Sequence, residues 1–377
     1  MIIDAVNSYH HVQFYVSNAL QSSFWYCINF GFERFAIKRC KRFSQVAIRN
    51  GSIVMVFKCA LNPDDAEISK QLSRHGDFVK DVSFRVDDVV SLVESIQQFG
   101  NRIIRPVERI EDEFGSVIVA TIQGSAGSIV HTLIQNIDYK GLFFPGFRPI
   151  GNFTICPTLS TIRLIDMDHV VEGHPENTVD NVIDWYNQTL KMDRFWSIDD
   201  RLVHTKYSAL KAILVGNAKR NVKMTLVEPV TVVGGRRGQV QEFVDHHGGS
   251  GIQHIAFTTD DIIDVIGKMR ERGVEFLDIP DSYYDLLEMR LSNSKIIVKE
   301  ELKNIRKLKI LLDFDDNGYL LQIFTKPMQD RPTLFIEIIR RHNYDGFGAG
   351  NFAALFAAVE LEQKNRDRMC SQNITIS

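Results

Sequence analysis

The sequence predicts an α+β protein in which tandem β-α-β-β-β modules form two half-open barrels, followed by a C-terminal helix. Three observations lead to this prediction: the length of the chain, an internal repeat, and a stretch rich in proline and glycine near its middle. A chain of 377 residues is too long for one ordinary hydrophobic core. We therefore expect two domains, or one domain built twice.

The first similarity within the chain joins the beginnings of its two halves. The segment from His10 starts with a strand-like run, continues into a helix that contains a Trp-Tyr pair, and returns to a strand. The segment from Asp168 has the same order, again with a Trp-Tyr pair in its helix. In both segments the apolar period changes from about two residues to about 3.6 and back, which predicts strand, helix and strand.

The second similarity lies further along each half. The segment VKDVSFRVDD, from Val79, parallels IQHIAFTTDD, from Ile252. Each is an alternating strand followed by two aspartates and an amphipathic helix that is closed by Gly100 or Gly273. Aspartate suits the N-cap of a helix and glycine its C-terminal end, so both helices are predicted with these limits.

A third similarity pairs the strand after Gly127 with the strand after Gly318, because both follow a glycine-led turn. The three pairs together predict four β-α-β-β-β modules, two in each half. The stretch 141–161 is rich in proline and glycine and is a natural boundary. The predicted domains are therefore an N-terminal pair of modules, 1–150, and a C-terminal pair, 151–377.

The end of the chain is predicted to form an amphipathic helix behind a flexible hinge. Glycines interrupt the segment 346–350, and the apolar residues from Asn351 to about Glu362 have helical spacing. The polar tail after Lys364 is predicted to be disordered.

Composition and charge exclude several classes of protein. The net charge is −3, and no basic field exists to bind nucleic acid or anionic lipid. No stretch approaches the roughly 20 apolar residues that a membrane-spanning helix needs, so we expect no membrane insertion. The five cysteines are widely spaced without a C-x-x-C pair, which indicates reduced thiols. With no signal or transit sequence apparent, the expected location is cytoplasmic, with the mitochondrion as the alternative.

Three side chains from distant parts of the second half are candidate ligands for one metal ion. His169 and His254 fall at matching places in the strands of two modules, and Glu337 lies near the end of that half. Equivalent strands of paired modules face each other across a half-open barrel, so their side chains converge. Two imidazoles and one carboxylate leave positions open for a bidentate substrate and O2, which suits non-haem Fe(II) better than zinc.

Each of these residues also has a plainer explanation. A single histidine in a strand is more often a core or surface residue, and Glu337 alone suits a solvent-facing position or a salt bridge with Arg340. The repeat favours the metal site, because a carboxylate between two isoleucines is costly to bury without a cation. In the first half the corresponding residues are His11 and Asp81, with no acid near Gln135. That half is predicted to be a structural copy that holds no metal.

Several polar and aromatic residues are candidates for a pocket beside the metal. Three glutamines occupy strand patterns where apolar residues are expected, and they are equally well explained as exposed strand residues. The phenylalanines are explained as ordinary core or as the walls of a pocket for a ring. These candidates are Gln241, Gln253, Gln322, Phe324, Phe335, Phe347 and Phe352.

The longest motifs resemble those of one known family. They include FWYCINFGFERFA and HGDFVKDVSFRVDD in the first half, and QVQEFVDHHGGSGIQHIAF and GFGAGNFAALF in the second. With these segments the sequence resembles the 4-hydroxyphenylpyruvate dioxygenase family of the vicinal-oxygen-chelate superfamily, from about residue 9 to about residue 365. The resemblance implies a glyoxalase-type fold and an Fe(II)- and O2-dependent oxidative decarboxylation of 4-hydroxyphenylpyruvate or a related aromatic α-keto acid.

The resemblance also implies roles for individual residues. It makes His169, His254 and Glu337 the iron ligands, and it makes the C-terminal helix a gate over the site. A homodimer is the expected oligomer. The substrate site would be lined by Gln241, Gln253, Gln322, Phe324, Phe335, Phe347 and Asn351.

Three positions depart from the pattern of family members that form homogentisate. Thr225 and Val227 stand where that pattern has Pro and Asn, and Ala212 stands where it has Ser. The loss of polar groups resembles the hydroxymandelate synthase branch and the dioxygenase-like paralogues of animals, and it favours 4-hydroxymandelate over homogentisate as product. The alternative is a catalytically inactive binding or regulatory protein, against which the intact ligand set argues. Ring cleavage of a catechol fits the glutamines less well.

Overall fold

The computed structural model describes residues 5–151, 158–198, 209–231 and 238–373. Within these residues, two large mixed sheets, one from each half of the chain, curl into half-barrels. Helices pack on the sheets and bury their apolar faces there. The predicted fold class is confirmed.

The first half forms a nine-stranded sheet. Its strands are β1 (Ser8–Tyr15), β2 (Glu33–Arg39), β3 (Phe43–Asn50), β4 (Ile53–Ala60), β5 (Phe78–Arg85), β6 (Ile103–Asp112), β7 (Gly115–Gln123), β8 (Val130–Asn136) and β9 (Arg148–Pro149). Its helices are α1 (Ala19–Phe30), α2 (Ala66–His75) and α3 (Val89–Gln98). The strand order is β6-β7-β8-β5-β1-β4-β3-β2-β9, with β1 and β5 antiparallel at the centre.

The second half forms an eight-stranded sheet. Its strands are β10 (Met167–Gly173), β11 (Asp193–Ile198), β12 (Ala209–Gly216), β13 (Lys223–Val230), β14 (Gly251–Thr258), β15 (Leu311–Phe314), β16 (Tyr319–Phe324) and β17 (Phe335–His342). Its helices are α4 (Val179–Leu190), α5 (Gln239–His247), α6 (Ile262–Glu271), α7 (Asp281–Ser292), α8 (Leu302–Leu308) and α9 (Phe352–Asn373). The order β11-β12-β13-β10-β14-β17-β16-β15 repeats that of the first sheet, so each half contains two β-α-β-β-β modules.

The repeated helices α3 and α6 begin and end where the sequence predicts. Asp88 and Asp261 are their N-caps, and each side chain accepts a hydrogen bond from the backbone N–H three residues further on. Gly100 and Gly273 follow the helix ends with φ values of 75° and 89°. Only glycine adopts that left-handed backbone at little cost, which explains why the helices stop there.

The predicted pairing of the strand after Gly127 with the strand after Gly318 is wrong. The first is β8, which runs parallel to β5 as β17 runs parallel to β14, so β8 corresponds to β17. The second is β16, which is antiparallel to β17 and corresponds to β7. Short alternating strands after glycine turns look alike in sequence, and the inserted helices α7 and α8 hide the true spacing of the repeat.

The two halves share one apolar core. Its largest cluster of buried side chains contains residues of both halves, and the ring of Phe32 lies 6.0 Å from that of Phe257. The chain passes from the first sheet to the second between Pro149 and Met167. Because the core is continuous, the division into separate domains at residue 150 stays a prediction.

The C-terminal helix is longer than predicted. A 3₁₀ turn, Ala349–Asn351, leads into α9, which continues through the region after Lys364 that was expected to be disordered. Residues 351–373 contain neither glycine nor proline, and Arg366 donates hydrogen bonds of 2.8 Å to both carboxylate oxygens of Glu242 on α5. This ion pair attaches the polar segment after Lys364 to α5, whereas burial of apolar side chains alone would not order it. Neither α9 nor any other helix of the described residues is long and apolar enough to cross a lipid bilayer.

We expect Gly318→Ala to destabilise the fold, because the backbone carbonyls of His342 and Asn343 occupy the space that a Cβ needs. The expected loss is about 3 kcal/mol in the free energy of unfolding, measured by urea denaturation. The matched control is Gly267→Ala in α6, where a Cβ meets nothing within 4 Å. There the helix gains about 0.5–1 kcal/mol, so equal effects at the two glycines would contradict the argument.

Candidate metal centre

Three neighbouring strands of the second sheet carry the predicted ligands. His169 lies on β10, His254 on β14 and Glu337 on β17, and these strands are adjacent in the sheet. Ala256 of β14 lies opposite His169 on one side and opposite Glu337 on the other. Residues two apart in a strand face the same side, so His254 shares that side with Ala256. Strand register thus directs all three side chains to one face of the sheet.

The three side chains meet at one point. Nε2 of His169 lies 3.1 Å from Oε2 of Glu337, and Nε2 of His254 lies 3.6 Å from the same oxygen. One ligand atom from each residue lies within 4.8 Å of the other two. In the described ranges, no other group of three or more His, Cys, Asp or Glu side chains is gathered in this way.

Burial and charge act in opposite directions at this point. Glu337 is 2% exposed, and burial raises the pKa of its carboxyl, but the two imidazoles lower that pKa more, to below its usual value. Burial lowers the pKa of His254 on balance. For His169 burial is outweighed by Glu337 and Asp168, and its pKa is raised. A carboxylate kept ionised beside two imidazoles is an arrangement that attracts a cation.

A second carboxylate orients His169. Nδ1 of His169 donates a 2.8 Å hydrogen bond to Asp168, which leaves Nε2 directed at Glu337. Arg341 donates two hydrogen bonds to Asp168, at 2.9 and 3.0 Å, and Nζ of Lys223 lies 3.3 Å away. Burial raises the pKa of Asp168, but His169 and Arg341 hold it well below its usual value. Such a carboxylate fixes the tautomer and the ring orientation of a metal-binding histidine.

Sequence reasoning did not find this network of Asp168, Arg341 and Lys223. Strict alternation places Asp168 on the opposite face from His169. The pairing of β10 with β14 shifts its register between Met167 and His169, so alternation fails at this place. The Asp-His pair was visible in the sequence, but the irregularity that brings both side chains to the site was not.

Aromatic rings surround the imidazoles. Phe335 stacks on His254 with 4.5 Å between ring centroids, and Phe324 meets the same imidazole edge-on at 6.1 Å. Phe347 lies edge-on to His169 at 5.2 Å. The structure thus places three of the predicted pocket residues against the candidate ligands.

The rings enclose a cavity of about 60 Å³. Apolar side chains that sequence reasoning did not single out complete its wall, because residues in buried strands look like ordinary core in the sequence. They are Val171, Trp196, Leu210, Leu214, Ile339 and Leu355.

Two of the three predicted glutamines line the cavity. Gln253 and Gln322 are buried, and Nε2 of Gln322 has no hydrogen-bond partner within the described part of the chain. Gln241 lies on helix α5 and not on a strand, and its side chain donates to Asp245. Gln239 lines the cavity instead. The alternation in QVQEF is typical of a strand, but the apolar spacing of three and four residues that follows forms a helix.

Asn351 lies beside the cavity and does not line it in this structure. It is fully buried at the start of α9, and its Oδ1 accepts a 2.7 Å hydrogen bond from the hydroxyl of Tyr283. Phe352, the next residue, lines the cavity. The observed contact of Asn351 therefore fixes the beginning of the C-terminal helix.

The three residues that depart from the family pattern form one wall of the cavity. Ala212 lies directly opposite Val227 in the pairing of β12 with β13, and Thr225 lies two residues before Val227 on the same face. The Thr225 hydroxyl is buried and has no hydrogen-bond partner among the residues described. This wall is therefore apolar apart from one hydroxyl.

In the first half, the residue that corresponds to Glu337 is Thr132. Asp81 pairs with Val130 as His254 pairs with Phe335, and two residues further on these strands reach Thr132 and Glu337. The expected position, near Gln135, lies on the same strand, β8, but three residues further on. Apolar alternation does not give the register of β8 with β5, so the residue that corresponds to Glu337 could not be identified from the sequence.

Comparison with known proteins extends these observations. Residues 167–323 match the family described as the Glyoxalase/Bleomycin resistance protein/Dioxygenase superfamily. The chain is 47% identical to 4-hydroxyphenylpyruvate dioxygenase of Caenorhabditis elegans over 97% of this chain and 94% of that protein. It is 44% identical to the protein of the same name from Danio rerio, over 98% of this chain and 95% of that one.

A solved structure is similar as well. A mutant of 4-hydroxymandelate synthase from Streptomyces coelicolor has a TM-score of 0.82 and 28% identity, and the match covers 95% of this chain and 99% of that one. The sequence relatives extend over both halves, including the strands that carry the metal site. The chain therefore belongs to the 4-hydroxyphenylpyruvate dioxygenase family of the vicinal-oxygen-chelate superfamily, and it is a dioxygenase.

Proposed function

We propose that this dioxygenase binds Fe(II) through His169, His254 and Glu337 and uses O2 to decarboxylate and oxidise 4-hydroxyphenylpyruvate. The observation that carries the proposal is the convergence of these side chains on a cavity walled by aromatic rings. The names of the relatives supply the substrate, an aromatic α-keto acid. Rings and aliphatic side chains in the wall suit the aromatic end of such a molecule.

The donor set fits ferrous iron. Two imidazoles and one carboxylate with open positions are typical of non-haem Fe(II) oxygenases. Within the described residues no fourth His, Cys, Asp or Glu joins the group, which favours an ion with vacant positions over a closed zinc site. When bound, the ion supplies the redox chemistry that couples reduction of O2 to loss of CO2 from the keto acid.

The side chains of the cavity position the substrate. The Nε2 of Gln322 has no hydrogen-bond partner in the described ranges, so it is available to donate to an oxygen of the keto acid. The Oε1 of Gln253 lies 3.3 Å from Nδ1 of His254 and holds that imidazole in place. Phe335, stacked on His254, leaves the substrate ring little choice of orientation.

Entry of the substrate requires the cavity to open. Its volume of about 60 Å³ holds only a few water molecules. Phe347, Phe352 and Leu355, from the segment that leads into α9 and from α9 itself, form part of the wall. We infer that this segment swings aside to admit the keto acid and then closes, which excludes water during oxidation.

The product depends on how the substrate ring lies. Oxidation of the ring with migration of the side chain gives homogentisate, whereas oxidation at the benzylic carbon gives 4-hydroxymandelate. Ala212 and Val227 offer no hydrogen bond to the ring hydroxyl, and we infer that this favours 4-hydroxymandelate. Aerobic incubation with Fe(II), ascorbate and 4-hydroxyphenylpyruvate, followed by chromatography, tests both activity and product. No O2 uptake refutes the activity, and homogentisate alone refutes only the product.

Replacement of a ligand is expected to abolish metal binding. Glu337→Gln removes the negative charge between the two imidazoles, so we expect bound iron to fall from roughly one ion per chain to near zero. Iron is measured after reconstitution and gel filtration. The control is Asp81→Asn, at the position in the first half that corresponds to His254, which is expected to keep its iron. Loss of iron in both variants, or in neither, contradicts the assignment.

Asp168→Asn is expected to weaken iron binding without removing any ligand. The amide cannot match the charge that the carboxylate places behind His169, so we expect about a 10- to 100-fold loss of affinity. Competition with a chelator gives the dissociation constant. Thermal unfolding of the metal-free variant measures separately the loss of the Arg341 ion pair. An unchanged affinity for iron would remove the orienting role of Asp168.

Val227→Asn is expected to move the product ratio toward homogentisate. The amide adds a hydrogen-bonding group to the apolar wall opposite Ala212, worth about 1–3 kcal/mol when it pairs with the substrate. The ratio of the two products is measured by chromatography. Val227→Leu keeps the wall apolar and serves as the control, so an equal ratio in both variants would rule out the hydrogen bond as the determinant.

A further inference from the structure

The first half-barrel encloses a cavity much larger than the one at the metal centre. Its volume is about 650 Å³, against about 60 Å³, and it falls within the range of small-molecule sites. His11 and Asp81, which correspond to His169 and His254, both line it. The space is open to solvent on one side, so a ligand can reach its wall.

The groups at this place do not form a ligand set for a metal. Asp81 accepts hydrogen bonds from both the backbone N–H and the hydroxyl of Thr132, which stands where the second half has Glu337. Burial lowers the pKa of His11 to about 3, and its ring packs edge-on to Phe143 at 5.4 Å. A ligand in this cavity therefore contacts protein groups directly.

The wall of this cavity carries an excess of positive charge. Lysine and arginine side chains outnumber carboxyl side chains by five to two. The basic residues are Lys38, Lys58, Lys80, Arg102 and Arg105, and the acidic residues are Glu67 and Asp81. Burial raises the pKa of Asp81, which weakens its ability to balance the ammonium groups. Arg105 is paired with Glu108 at 2.6 Å. The carboxylates of Glu67 and Asp81 compensate the lysines only in part, because the four remaining cations still outnumber them, so the wall favours an anion.

Lys58 is the clearest example of a cation in this wall that lacks an ion-pair partner among the described residues. Its half-buried Nζ lies 4.6 Å from the ring centre of Phe43 and 5.3 Å from that of Tyr15. Within the described residues it has neither a salt bridge nor a hydrogen-bond partner. Nearby, Nζ of Lys80 faces the same Tyr15 ring at 5.8 Å and donates a hydrogen bond to the carbonyl of Ser128. Two ammonium groups beside one ring are suited to bind a carboxylate.

The remaining wall supplies rings and one unsatisfied acceptor. Phe143, Phe144 and Phe147 line the cavity together with Phe43. The buried Oε1 of Gln71 has no hydrogen-bond partner in the part of the chain that the structure describes. A buried acceptor without a donor is destabilising, so a ligand that brings a hydroxyl or an N–H satisfies it.

We propose that the first half-barrel binds a hydroxylated aromatic carboxylate, at a site separate from the metal centre. Lys58 and Lys80 hold the carboxylate, the phenylalanine rings enclose the aromatic ring, and Gln71 accepts a hydrogen bond from the hydroxyl. This site does not depend on the chemistry at Glu337.

The test uses 4-hydroxyphenylacetate, which has the ring, the hydroxyl and the carboxylate but lacks a keto group. The full-length protein, supplied with Fe(II), is titrated with this probe by calorimetry. We expect saturable binding that weakens by roughly tenfold or more in Lys58→Met, because a charge-assisted hydrogen bond is lost. Lys58→Arg keeps the charge and is expected to retain most of the affinity. The matched control is Lys303→Met, which removes an exposed lysine of α8.

Three further measurements test where the probe binds and which of its groups the site recognises. The Glu337→Gln protein is expected to bind the probe as tightly as the parent, because the metal centre is not involved. Tyramine has the same ring and hydroxyl with an ammonium in place of the carboxylate, and it is expected not to bind. Gln71→Leu is expected to weaken 4-hydroxyphenylacetate but not phenylacetate, which lacks the hydroxyl. The comparison of these two probes in Gln71→Leu also tests the proposal if Lys58→Met does not fold.

Three results would overturn the proposal. The first is no binding of 4-hydroxyphenylacetate at millimolar concentration. The second is equal affinity in folded Lys58→Met and in the parent, or in Gln71→Leu and the parent. The third is loss of binding in Glu337→Gln, which would assign the probe to the metal centre.

Discussion

The carboxylate of Glu337 is the group around which the second half of the molecule is arranged. It is buried between two imidazoles that come from separate modules. An ionised carboxylate without compensation costs several kcal/mol in such a place. The strands β10 and β14 supply the compensating imidazoles, and behind them Asp168 and Arg341 extend the network of charges. The two imidazoles compensate this carboxylate only in part, so the site is suited to bind a cation.

The two halves show how one frame supports different chemistry. Both sheets have the same order of strands, and His11 occupies the position in the first half that His169 occupies in the second. Thr132 in place of Glu337 replaces a charge with a hydroxyl, which satisfies Asp81 by hydrogen bonds within the protein. That exchange removes the need for a cation but leaves the curved sheet and the space inside it. The two halves therefore share a scaffold, but only the second half has the carboxylate at the position of Glu337.

The sequence was most informative where structure is local. Asp88 and Asp261 predict helix starts correctly, because an N-cap needs only its own following turn. The repeat also led to His169 and His254 as candidate ligands, because modules at matching positions place equivalent strands side by side. The prediction from sequence failed at Gln241, because a short alternation of polar and apolar residues there lies at the beginning of a helix and not in a strand. It also failed for the tail after Lys364, whose order depends on a contact with a distant helix.

The register of paired strands and the irregularities in their pairing could not be predicted from the sequence. The role of Asp168 depends on a shift in the pairing of β10 with β14, and the position of Thr132 depends on which strand lies beside β5. Both are properties of contacts between strands that are far apart in the chain. Apolar periodicity reports which face of a strand is buried, but not which residue of the next strand lies opposite.

The pairing of Arg341 with Asp168 joins β17 to β10 across the intervening strand β14. Glu337 and Arg341 lie four residues apart on one face of β17, so any sliding of that strand displaces both together. A slip that preserves which side chains face inward advances the strand by roughly 7 Å. Such a slip would pull the guanidinium off its carboxylate and carry Glu337 beyond the reach of the imidazoles in the same movement. The ion pair therefore resists sliding of β17 along the sheet. Because the same sliding would displace Glu337, the geometry of the metal site depends on the register of this strand.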